Sequence, residues 1–371
     1  MIITSIELER LRLPLSPPFQ AAWDPVPRER FDATIVRVHT DEGLTGIGSG
    51  DTMTGFDEFR HLFVDRNPLA LAQHARTLET ISFHAGRYWP LEAALWDLAG
   101  QALGASVAQL LGGGRERIPA YASLGELRSP QQRAADAHAL IEAGFLAVKV
   151  RIAQERLAEG IATVAAIREA AGDRLQVMVD LNQWWRMPGD IVPGLDAPAA
   201  RRVIDTLVDL GVTWVEEPLA GDDLPGMRML RQTTGTRIAG GEMARSFDEL
   251  RRALDEDALD VLQPDVVLAL GISGARTLAD LAVRRNRWFT PHTWTNGIGL
   301  LANLHACCGV GGGPYLEYPF DPPGWTPERR DFMLAEPVAI DDGWLSVPAA
   351  PGMGIELDEE AVEHYSLGRT A

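Results

Sequence analysis

The sequence of 371 residues has little cysteine, and its start lacks the apolar segment of a signal peptide. The two cysteines, Cys307 and Cys308, are neighbours in the chain and cannot form a framework of disulfide bonds. Residues 1–15 contain two glutamates and two arginines, where a signal peptide needs an uninterrupted apolar stretch. We therefore expect a protein of a reducing compartment, the cytoplasm.

Basic residues are also scarce relative to acidic ones. The chain has 34 Lys and Arg residues against 52 Asp and Glu residues, which gives a formal net charge of −18. Nucleic acids and anionic membranes are bound by fields of Lys and Arg, so this charge disfavours both kinds of partner, and an anionic ligand needs a local cation. Residues 288–318 hold one charged residue, but their His, Asn, Pro and Gly content predicts buried α/β core and not a membrane span.

What the sequence does contain is the composition of a globular protein, with 46% hydrophobic and 23% charged residues. Period-2 alternation indicates strands in residues 2–15 and 33–50, and helical periodicity fills residues 56–111, up to a run of glycines. Strands followed by helices are typical of an α+β unit, so we expect such a domain over residues 1–114. The tail, residues 338–371, is too short to fold alone, and we expect it to complete this domain.

After the glycine run the pattern changes to short apolar runs separated by helical segments. The runs with the length and composition of buried strands are residues 118–123, 145–152, 175–182, 212–218, 236–242, 259–265, 287–292 and 314–318. Their spacing predicts parallel strands with crossover helices, closed as a TIM-type (β/α)8 barrel over residues 115–337. The last crossover is weak, because the glycine-rich segment before the final run offers only a short helix.

Polar side chains stand at the ends of seven of these strands in succession. They are Lys149, Arg151, Asp180, Asn182, Glu216, Glu217, Glu242, Asp265, His292 and Glu317. In a parallel barrel the carboxyl ends of the strands carry the chemistry, and buried charges are costly unless they are paired or bind a metal. Asp180, Glu216 and Glu242 end three consecutive strands. Because three converging carboxylates repel each other, we expect them to bind a divalent cation that prefers oxygen ligands, Mg2+.

Strand geometry predicts two further pairs of neighbouring site residues. Lys149 and Arg151 are two residues apart on one strand, so both side chains enter the same site. Asp265 and His292 end neighbouring strands, so the carboxylate can orient the imidazole and raise its basicity. Glu217 alternates to the opposite face from its neighbour, which predicts a supporting or structural role.

The ordered set of motifs resembles the enolase superfamily, in its mandelate racemase and muconate-lactonising enzyme family, and within that the mandelate racemase-like subgroup. The matching elements are Lys149-Val150-Arg151, Asp180-Leu181-Asn182, Glu216-Glu217-Pro218, Gly240-Gly241-Glu242, Gln263-Pro264-Asp265, Pro291-His292 and Glu317. Residues 94–113 also resemble the helix pair that precedes the barrel in this family. The resemblance implies an α/β fold, a modified (β/α)7β barrel with an α+β capping domain. It also implies Mg2+ held by Asp180, Glu216 and Glu242, and a homo-oligomer, either a dimer or an octamer.

One position departs from the family pattern. Most relatives carry Lys at both charged positions of the second strand, whereas this sequence has Arg151 at the second. A guanidinium stays protonated, so Arg151 is a poor proton acceptor but a good planar donor to a carboxylate or hydroxyl. This weakens the case for a reaction that needs two bases. The subgroup assignment depends on Asp265 and His292, because the muconate-lactonising subgroup would carry Lys at the end of the sixth strand.

These residues predict Mg2+-dependent removal of a proton α to a carboxylate. His292 would take the proton, while Lys149 and a protonated Glu317 would act as electrophilic donors. One His can also protonate a hydroxyl that leaves from the next carbon, so we expect an acid-sugar dehydratase that forms a 2-keto-3-deoxy acid. The alternatives are a racemase or epimerase with Lys149 as a second base, a lactone cycloisomerase, and a metal-binding scaffold without catalysis.

Substrate identity should depend on loops of the first domain and on an insertion after the third barrel strand. Residues 16–30 and 48–55 have loop composition and correspond to the specificity loops of the family. The insertion begins with two adjacent tryptophans and is long enough to cover part of the site. The candidates for contact with the substrate are Trp23, Asp51, Thr52, Asn182 and Trp184.

Overall fold

The computed structural model describes residues 1–188 and 190–371. Its strands are β1 (Ile3–Phe19), β2 (Arg28–Thr40), β3 (Thr45–Gly48), β4 (Arg117–Ser123), β5 (Ala147–Arg151), β6 (Gln176–Asp180), β7 (Trp214–Glu216), β8 (Arg237–Gly240), β9 (Val261–Leu262), β10 (Trp288–Phe289), β11 (Leu316–Pro319), β12 (Trp344–Ser346) and β13 (Ser366–Thr370). Its α-helices are α1 (Leu71–His84), α2 (Trp89–Leu103), α3 (Val107–Leu110), α4 (Pro130–Glu142), α5 (Leu157–Ala171), α6 (Ala197–Asp209), α7 (Leu224–Thr233), α8 (Phe247–Asp255), α9 (Gly271–Arg284), α10 (Gly297–Val310), α11 (Pro327–Arg330) and α12 (Glu359–Tyr365).

The N-terminal strands form an antiparallel sheet in the order β13-β1-β2-β3. β1 and β2 pair along most of their length, and α2 packs closely on β3. Glycine is required for this approach. A Cβ atom at Gly46 would lie 2.1 Å from the backbone oxygen of Ala94, and one at Gly48 would lie 2.1 Å from that of Pro90. The prediction of strands followed by helices in this region is confirmed.

Parallel strands β4 to β11 form the second sheet of the described chain, in the order β10-β9-β8-β7-β6-β5-β4-β11. Each strand run predicted from the sequence overlaps one of them, and β4 and β11 each extend one residue beyond the predicted run. Between β10 and β11 the hydroxyl of Thr290 donates to the backbone oxygen of Tyr315 at 2.6 Å. Helices α4 to α10 connect consecutive strands, and within the described residues β11 is followed by the short α11 instead of an eighth crossover helix. The predicted α/β fold of TIM type with a separate N-terminal cap is confirmed.

The crossover helices bury an apolar stripe, as α6 illustrates. Its buried residues are Ala200, Val203, Ile204 and Leu207. The i, i+3, i+4, i+7 spacing places these side chains on one face of the helix, toward the strands. The carboxylate of Asp196 caps the helix by accepting from the backbone N–H of Ala199 at 2.7 Å.

Helix α10 is longer than the short helix expected from the sequence. It begins after Asn296, whose side-chain oxygen accepts from the N–H groups of Ile298 and Gly299, both at 3.1 Å. Residues 297–309 are buried on all sides, because α10 packs on α3 and α9 as well as on the barrel. A helix without an exposed face has no 3.6-residue hydrophobic period, so the pattern underestimated its length. The prediction of buried core for this segment is confirmed.

The tail contacts both sheets. β13 pairs with β1 and forms the edge of the N-terminal sheet, and the N–H of Met353 donates to Asp97 in α2 at 2.7 Å. β12 instead pairs antiparallel with the barrel strand β4. The tail therefore joins the barrel as well as the domain that it was expected to complete. The predicted domain boundaries at residues 114 and 337 stay predictions.

One helical stretch, Val266–Arg284, is long and apolar enough to cross a membrane, with a mean hydropathy of 1.6. In the folded protein, 56% of the most apolar 18 residues of this stretch are buried. It consists of a π-helical turn, Val266–Leu270, followed by α9, which packs on α2 and α10. These contacts account for its apolar composition.

Candidate active site

The polar residues predicted at strand ends lie together at one mouth of the barrel. The parallel register pairs Arg151 with Asp180 and Asp180 with Glu216, so neighbouring strand ends are level. The exposed fractions are 0% for Lys149, Asp180, Glu216, Glu217, Asp265 and Glu317, 2% for Glu242, 5% for Arg151 and 6% for His292. So much buried charge has to be compensated within the site itself.

Three carboxylates form the centre of this mouth, and we call Asp180, Glu216 and Glu242 the acidic triad. Each offers one oxygen, and these oxygens all lie within 4.8 Å of one another. Oε2 of Glu242 is buried and has no hydrogen-bond partner among the described residues. Burial raises the pKa of Glu242 and the charge of Glu216 adds to this, against the opposing effect of His292. A buried set of oxygen donors with an unpartnered atom fits a hard divalent cation such as Mg2+.

The backbone around the acidic triad adopts the left-handed region at three successive strand ends. The angle φ is 46° at Asn182, 48° at Glu217 and 103° at Gly241. Glycine takes such values freely and Asn tolerates them, whereas for Glu217 the conformation costs roughly 1–2 kcal/mol. Strained residues persist only where surrounding contacts hold them, and they concentrate at functional sites.

Neighbouring donors fix the orientation of the triad carboxylates. Oε1 of Glu216 accepts from the Lys149 ammonium at 2.7 Å, and its Oε2 accepts from Nε2 of Gln263 at 2.8 Å. Oε1 of Glu242 accepts from the indole N–H of Trp185 at 2.8 Å. Gln263 belongs to a motif that carries the resemblance, but the sequence alone assigned it no role.

Lys149 lies between the acidic triad and Glu317. Its Nζ is 2.7 Å from oxygens of both Glu216 and Glu317, and 3.7 Å from Asp180. The ammonium is also 5.5 Å from the centre of the Tyr121 ring. Lys149 is the only lysine in a chain with 34 Lys and Arg residues. A compact ammonium with three donors suits a position that is enclosed by three carboxylates.

Among the described residues, the side-chain oxygens of Glu317 accept from three donors. Besides Lys149, the hydroxyl of Ser123 donates to it at 2.7 Å and the N–H of Thr293 donates to it at 2.8 Å. Burial raises the pKa of Glu317, but Lys149 and two other nearby cations outweigh burial and lower it. These surroundings favour the carboxylate form of Glu317, whereas the donor role expected from the sequence needs a proton on this group. That role stays a prediction.

Arg151 is held by charge and by aromatic rings. It forms an ion pair with Asp180, and its guanidinium carbon lies 4.8 Å from the ring centre of Trp23 and 5.9 Å from that of Trp294. Its Nε also donates to the backbone oxygen of Leu124 at 3.4 Å. Because a guanidinium keeps its proton, this side of the mouth carries a fixed positive charge.

His292 and Asp265 are in contact at the ends of β10 and β9. Nδ1 of His292 lies 3.0 Å from Oδ2 of Asp265. The other oxygen of Asp265 accepts from the N–H of Val267 and from Nδ2 of Asn303, both at 2.9 Å. These donors fix the carboxylate beside Nδ1 of His292, so that Nε2 of the imidazole faces the site.

The surroundings of His292 are anionic. Its Nε2 lies 3.5 Å from Oε2 of Glu242. Burial lowers the pKa of His292, but the charges of Glu242, Glu317 and Asp265 outweigh burial and raise it to about 9. A cation held by the acidic triad would oppose the charge of Glu242.

Glu217 differs from the other carboxyl groups of the mouth. Neither of its side-chain oxygens has a hydrogen-bond partner within residues 1–188 and 190–371, although the residue is fully buried. Burial raises its pKa well above the usual value, and the charges of Glu242 and Glu216 add to the effect. The charges of two acidic-triad carboxylates therefore act on the carboxyl group of Glu217. Its predicted supporting role stays a prediction.

Two of the predicted substrate contacts border the site on the Arg151 side. Trp23 is half-buried against the guanidinium. Asn182 donates its N–H to Asp180 at 2.8 Å and its side-chain amide to the same carboxylate at 3.3 Å. A cavity of about 90 Å³ opens here, and Trp23, Arg151, Asn182 and Trp185 are among its lining residues.

Asp51 and Thr52 lie near the opposite side. Their loop passes over the strand end that carries Asp265, since a Cβ atom at Gly50 would lie 2.2 Å from the side chain of Val267. Burial raises the pKa of Asp51, and the charge of Asp265 contributes to that rise. Thr52 is exposed. Of this pair, Asp51 is the residue whose environment connects it with the site.

Trp184 is a predicted substrate contact that the structure contradicts. Its side chain is 8% exposed and belongs to the main hydrophobic core. The ring packs so closely on Gly221 and Gly240 that a Cβ atom at these positions would lie 2.3 Å and 3.1 Å from it. The neighbouring Trp185 reaches Glu242 instead. Which of two adjacent tryptophans faces a site depends on the path of the loop, and no sequence pattern specifies that path.

Other residues of the site were missed from the sequence. Ser123, at the end of β4, donates to Glu317 at 2.7 Å and accepts from the indole of Trp294 at 2.8 Å. Asn303, inside α10, supports Asp265. In the sequence, only the position of Ser123 at the end of the first barrel strand indicates a site residue. This signal is weak because serine is common in loops.

Two family models match the chain. Residues 132–361 match the model described as enolase C-terminal domain-like, and residues 4–112 match the mandelate racemase / muconate lactonizing enzyme N-terminal domain. The first match alone covers more than half of the chain. The chain belongs to the enolase superfamily. Within the superfamily it falls in the mandelate racemase-like group, as the motifs implied.

Known members of the superfamily differ in their reactions. The chain is 30% identical to the D-galactarolactone cycloisomerase of Agrobacterium fabrum, over 75% of its own length and 73% of that protein. It is 31% identical to the L-talarate/galactarate dehydratase of Salmonella typhimurium, over 73% of its own length and 63% of that protein. A solved racemase from Streptomyces coelicolor with bound magnesium matches it with a TM-score of 0.84 and 26% identity, over 98% of this chain and 100% of that one. Relatives thus include dehydratases, cycloisomerases and an epimerase, which supports an enzyme.

Proposed function

We propose that this enolase-superfamily protein removes a proton α to a carboxylate with the help of Mg2+ and dehydrates an acid sugar to a 2-keto-3-deoxy acid. The asymmetry of the barrel mouth carries the proposal. His292, which follows β10, and its partner Asp265, which follows β9, lie across the barrel from Arg151 on β5, which is four strands away from β9. An imidazole accepts and returns a proton, whereas a guanidinium does neither. This arrangement favours a reaction in which one base performs both proton transfers.

The acidic triad would hold the Mg2+. Its carboxylates supply clustered oxygen ligands, and a racemase of the same superfamily contains magnesium. When bound, the cation would stabilise the negative charge that develops on the substrate carboxylate.

His292 would take the α-proton at Nε2, leaving the substrate as a dianionic ene-diolate. Asp265 would hold the ring in the required orientation and tautomer through Nδ1. The imidazolium would then donate its proton to the hydroxyl on the neighbouring carbon. As the C–O bond breaks, the hydroxyl leaves as water with the bonding electrons. The resulting enol tautomerises to a 2-keto-3-deoxy acid.

Lys149 and Arg151 would bring positive charge to the substrate anion in a chain whose net charge is −18. Lys149 is oriented by Glu216 and Glu317, so its ammonium is fixed beside the place where negative charge develops. Arg151 presents a planar fork that suits a carboxylate or a hydroxyl.

An acid-sugar substrate is supported by the relatives, several of which are dehydratases of sugar acids. The polar and aromatic residues at the mouth would contact the hydroxyl groups and carbon chain of such a substrate. On one side Trp23 and Asn182 would contact its distal part, and on the other side Asp51 would accept from its hydroxyl groups.

A lactone cycloisomerase is the second candidate, because one of the relatives acts on D-galactarolactone. It would begin with the same proton removal by His292. A racemase or epimerase is less well supported, because Lys149 would have to serve as a second acid–base group, although it is surrounded by carboxylates. A metal-binding scaffold is the alternative without catalysis.

The product distinguishes these reactions. The purified protein is incubated with Mg2+ and a library of acid sugars and their lactones, and 2-keto acid is measured by its semicarbazone absorbance. A dehydratase forms 2-keto acid. Deuterium from D2O at the α-carbon without 2-keto acid indicates an epimerase. A lactone that is converted to a product of the same mass indicates a cycloisomerase, whereas the product of a dehydratase is lighter than its substrate by one water. Absence of all three reactions would favour the scaffold.

Metal removal tests the acidic triad. After exhaustive EDTA treatment the wild type should lose activity and regain it with Mg2+. Glu242→Gln should stay weakly active at every Mg2+ concentration, because an amide replaces a charged ligand. Glu159→Gln, an exposed change on α5, serves as the control. Full activity of Glu242→Gln after EDTA treatment would contradict the metal site.

The assembly and location of the protein remain proposals. The chain has a mass of 40.5 kDa, so light scattering should give twice or eight times this value for a dimer or an octamer. The cytoplasmic location and the lack of nucleic-acid and membrane partners stay predictions from composition.

A further inference from the structure

The indole of Trp185 forms a hydrogen bond with one carboxylate of the acidic triad, that of Glu242. Its Nε1 donates to Oε1 of Glu242 at 2.8 Å. Oε2 of the same carboxylate is buried and has no hydrogen-bond partner in the described part of the chain, while Nε2 of His292 lies 3.5 Å away. The two oxygens of Glu242 therefore have different surroundings, since an indole holds one and the other faces the site.

The chain path that places Trp185 is fixed by the neighbouring strand ends. The N–H of Gln183 donates to the backbone oxygen of Glu217 at 2.9 Å, and the N–H of Gly221 donates to that of Trp184 at 3.2 Å. The ring of Trp184 is packed in the core. With its neighbours held in this way, Trp185 is directed toward the end of β8 and remains half-buried beside the cavity that borders Arg151.

We propose that Trp185 is a positioning residue for the cation, which holds Oε1 of Glu242 so that Oε2 is presented to Mg2+. The inference rests on the proposed function, because it assumes a cation at the acidic triad. A carboxylate with one oxygen in a hydrogen bond has already lost much of its rotational freedom, so less is lost when the metal binds. An indole N–H is a donor only, so it orients the ligand without offering an atom that competes for the metal.

Trp185→Phe removes the donor and keeps an aromatic ring. Mg2+ affinity is measured by calorimetry on EDTA-treated protein, without substrate. We expect the Kd for Mg2+ to rise about 10–100-fold, the usual effect of losing a partner behind a metal ligand. At saturating Mg2+, kcat should return to within a few-fold of the wild type. A purely structural role would instead lower the melting temperature, and it would lower kcat at every Mg2+ concentration.

Trp184→Phe is the matched control. It makes the same substitution one residue earlier, in a side chain that packs in the core against Gly221 and Gly240. It should lower the melting temperature but leave the Mg2+ Kd unchanged.

The single lysine provides a direct probe of the site. With 13C at the ε carbon of lysine, the protein gives one side-chain signal, from Lys149, whose Nζ lies 2.7 Å from Glu216. Added Mg2+ should shift this signal at similar concentrations in the wild type and Trp184→Phe, and only at higher concentrations in Trp185→Phe.

Equal Mg2+ Kd values in Trp185→Phe and the wild type would overturn the role of Trp185 and leave the metal proposal intact. No Mg2+ binding by the wild type would instead contradict the proposed function. If Trp185→Phe folds poorly, Trp185→His keeps a ring N–H and should bind Mg2+ more tightly than Trp185→Phe. The reverse order would also overturn the inference.

Discussion

The two sides of the barrel mouth carry opposite chemistry at equivalent strand ends. On β5, Lys149 and Arg151 are cations, and Arg151 is enclosed by an ion pair and two indole rings. Across the barrel, Asp265 and His292 form a hydrogen-bonded pair. In the proposed reaction, the guanidinium of the first side would keep its charge, and the imidazole of the second side would gain and lose a proton.

The difference lies in what each side places around its charged groups. Arg151 stays cationic whatever surrounds it, so aromatic faces and Asp180 serve to fix its position. On the other side, Val267 and Asn303 donate to one oxygen of Asp265, which fixes the carboxylate whose other oxygen contacts His292. These different neighbours match the different roles that we propose for Arg151 and for the pair of Asp265 and His292.

The largest effect is expected from a substitution of the proposed base, on the side of the mouth where we propose proton transfer. His292→Asn should lower kcat by at least ~10²–10⁴-fold, the usual contribution of general acid–base catalysis, because one residue serves both steps. Binding of Mg2+, measured by calorimetry, should persist. If the variant dehydrated its substrate or exchanged the α-proton with D2O at the wild-type rate, Lys149 would have to be the base and an epimerase would be favoured.

A smaller effect is expected from the orienting carboxylate. Asp265→Asn keeps the imidazole but loses the charge that fixes its tautomer, so kcat should fall about 10–100-fold. The amide also changes the pattern of donors and acceptors facing Asn303. Asn303→Ala is the companion variant, because it removes a donor to Asp265 and leaves the His292 contact in place. An Asp265→Asn variant as slow as His292→Asn would mean that Asp265 does more than orient the ring.

Much of the architecture of this mouth could be predicted from the sequence. In a parallel barrel every strand ends at the same mouth, so the identity of each strand's last residues is enough to place Asp180, Glu216 and Glu242 together. The same reasoning brought Asp265 next to His292. These inferences need only strand direction and order, which local hydrophobic patterns determine.

Contacts that depend on loop paths or on charge balance could not be predicted. The sequence does not show that Trp185 faces the mouth while Trp184 is buried. A shift of the loop by one residue would exchange the orientations of the two side chains, and the sequence does not specify the path of the loop. The ionisation of Glu317 depends on its distance from Lys149 and on donors from β4 and from the segment after β10. These distances are set by the packing of the closed barrel, and the sequence pattern does not specify them.

The fixed-charge side is tested by Arg151→Lys. The charge stays, but the planar fork and its stacking on Trp23 are lost, so KM should rise about tenfold, or ~1.4 kcal/mol, with a smaller change in kcat. Lysine also introduces a group that can titrate, and α-proton exchange in D2O should be measured alongside. Unchanged kinetics would give Arg151 a structural role, and new epimerisation would show that the original guanidinium keeps the reaction one-sided.

The smallest expected effect concerns the ring that covers Arg151. Trp23→Phe weakens a cation–π contact worth ~0.5–1 kcal/mol, so KM should rise roughly two- to fivefold while kcat changes little. The chain offers a matched control, because Arg117 lies 4.5 Å from the ring centre of Trp344 in a similar pair on β4 and β12. Trp344→Phe should leave KM unchanged, since that pair lies at the beginning of β4 and the active site lies beyond its end. Equal effects of the two substitutions would mean that stability, and not the position of Arg151, controls KM. A larger effect on kcat than on KM would move Trp23 from the wall of the substrate cavity to the reacting centre.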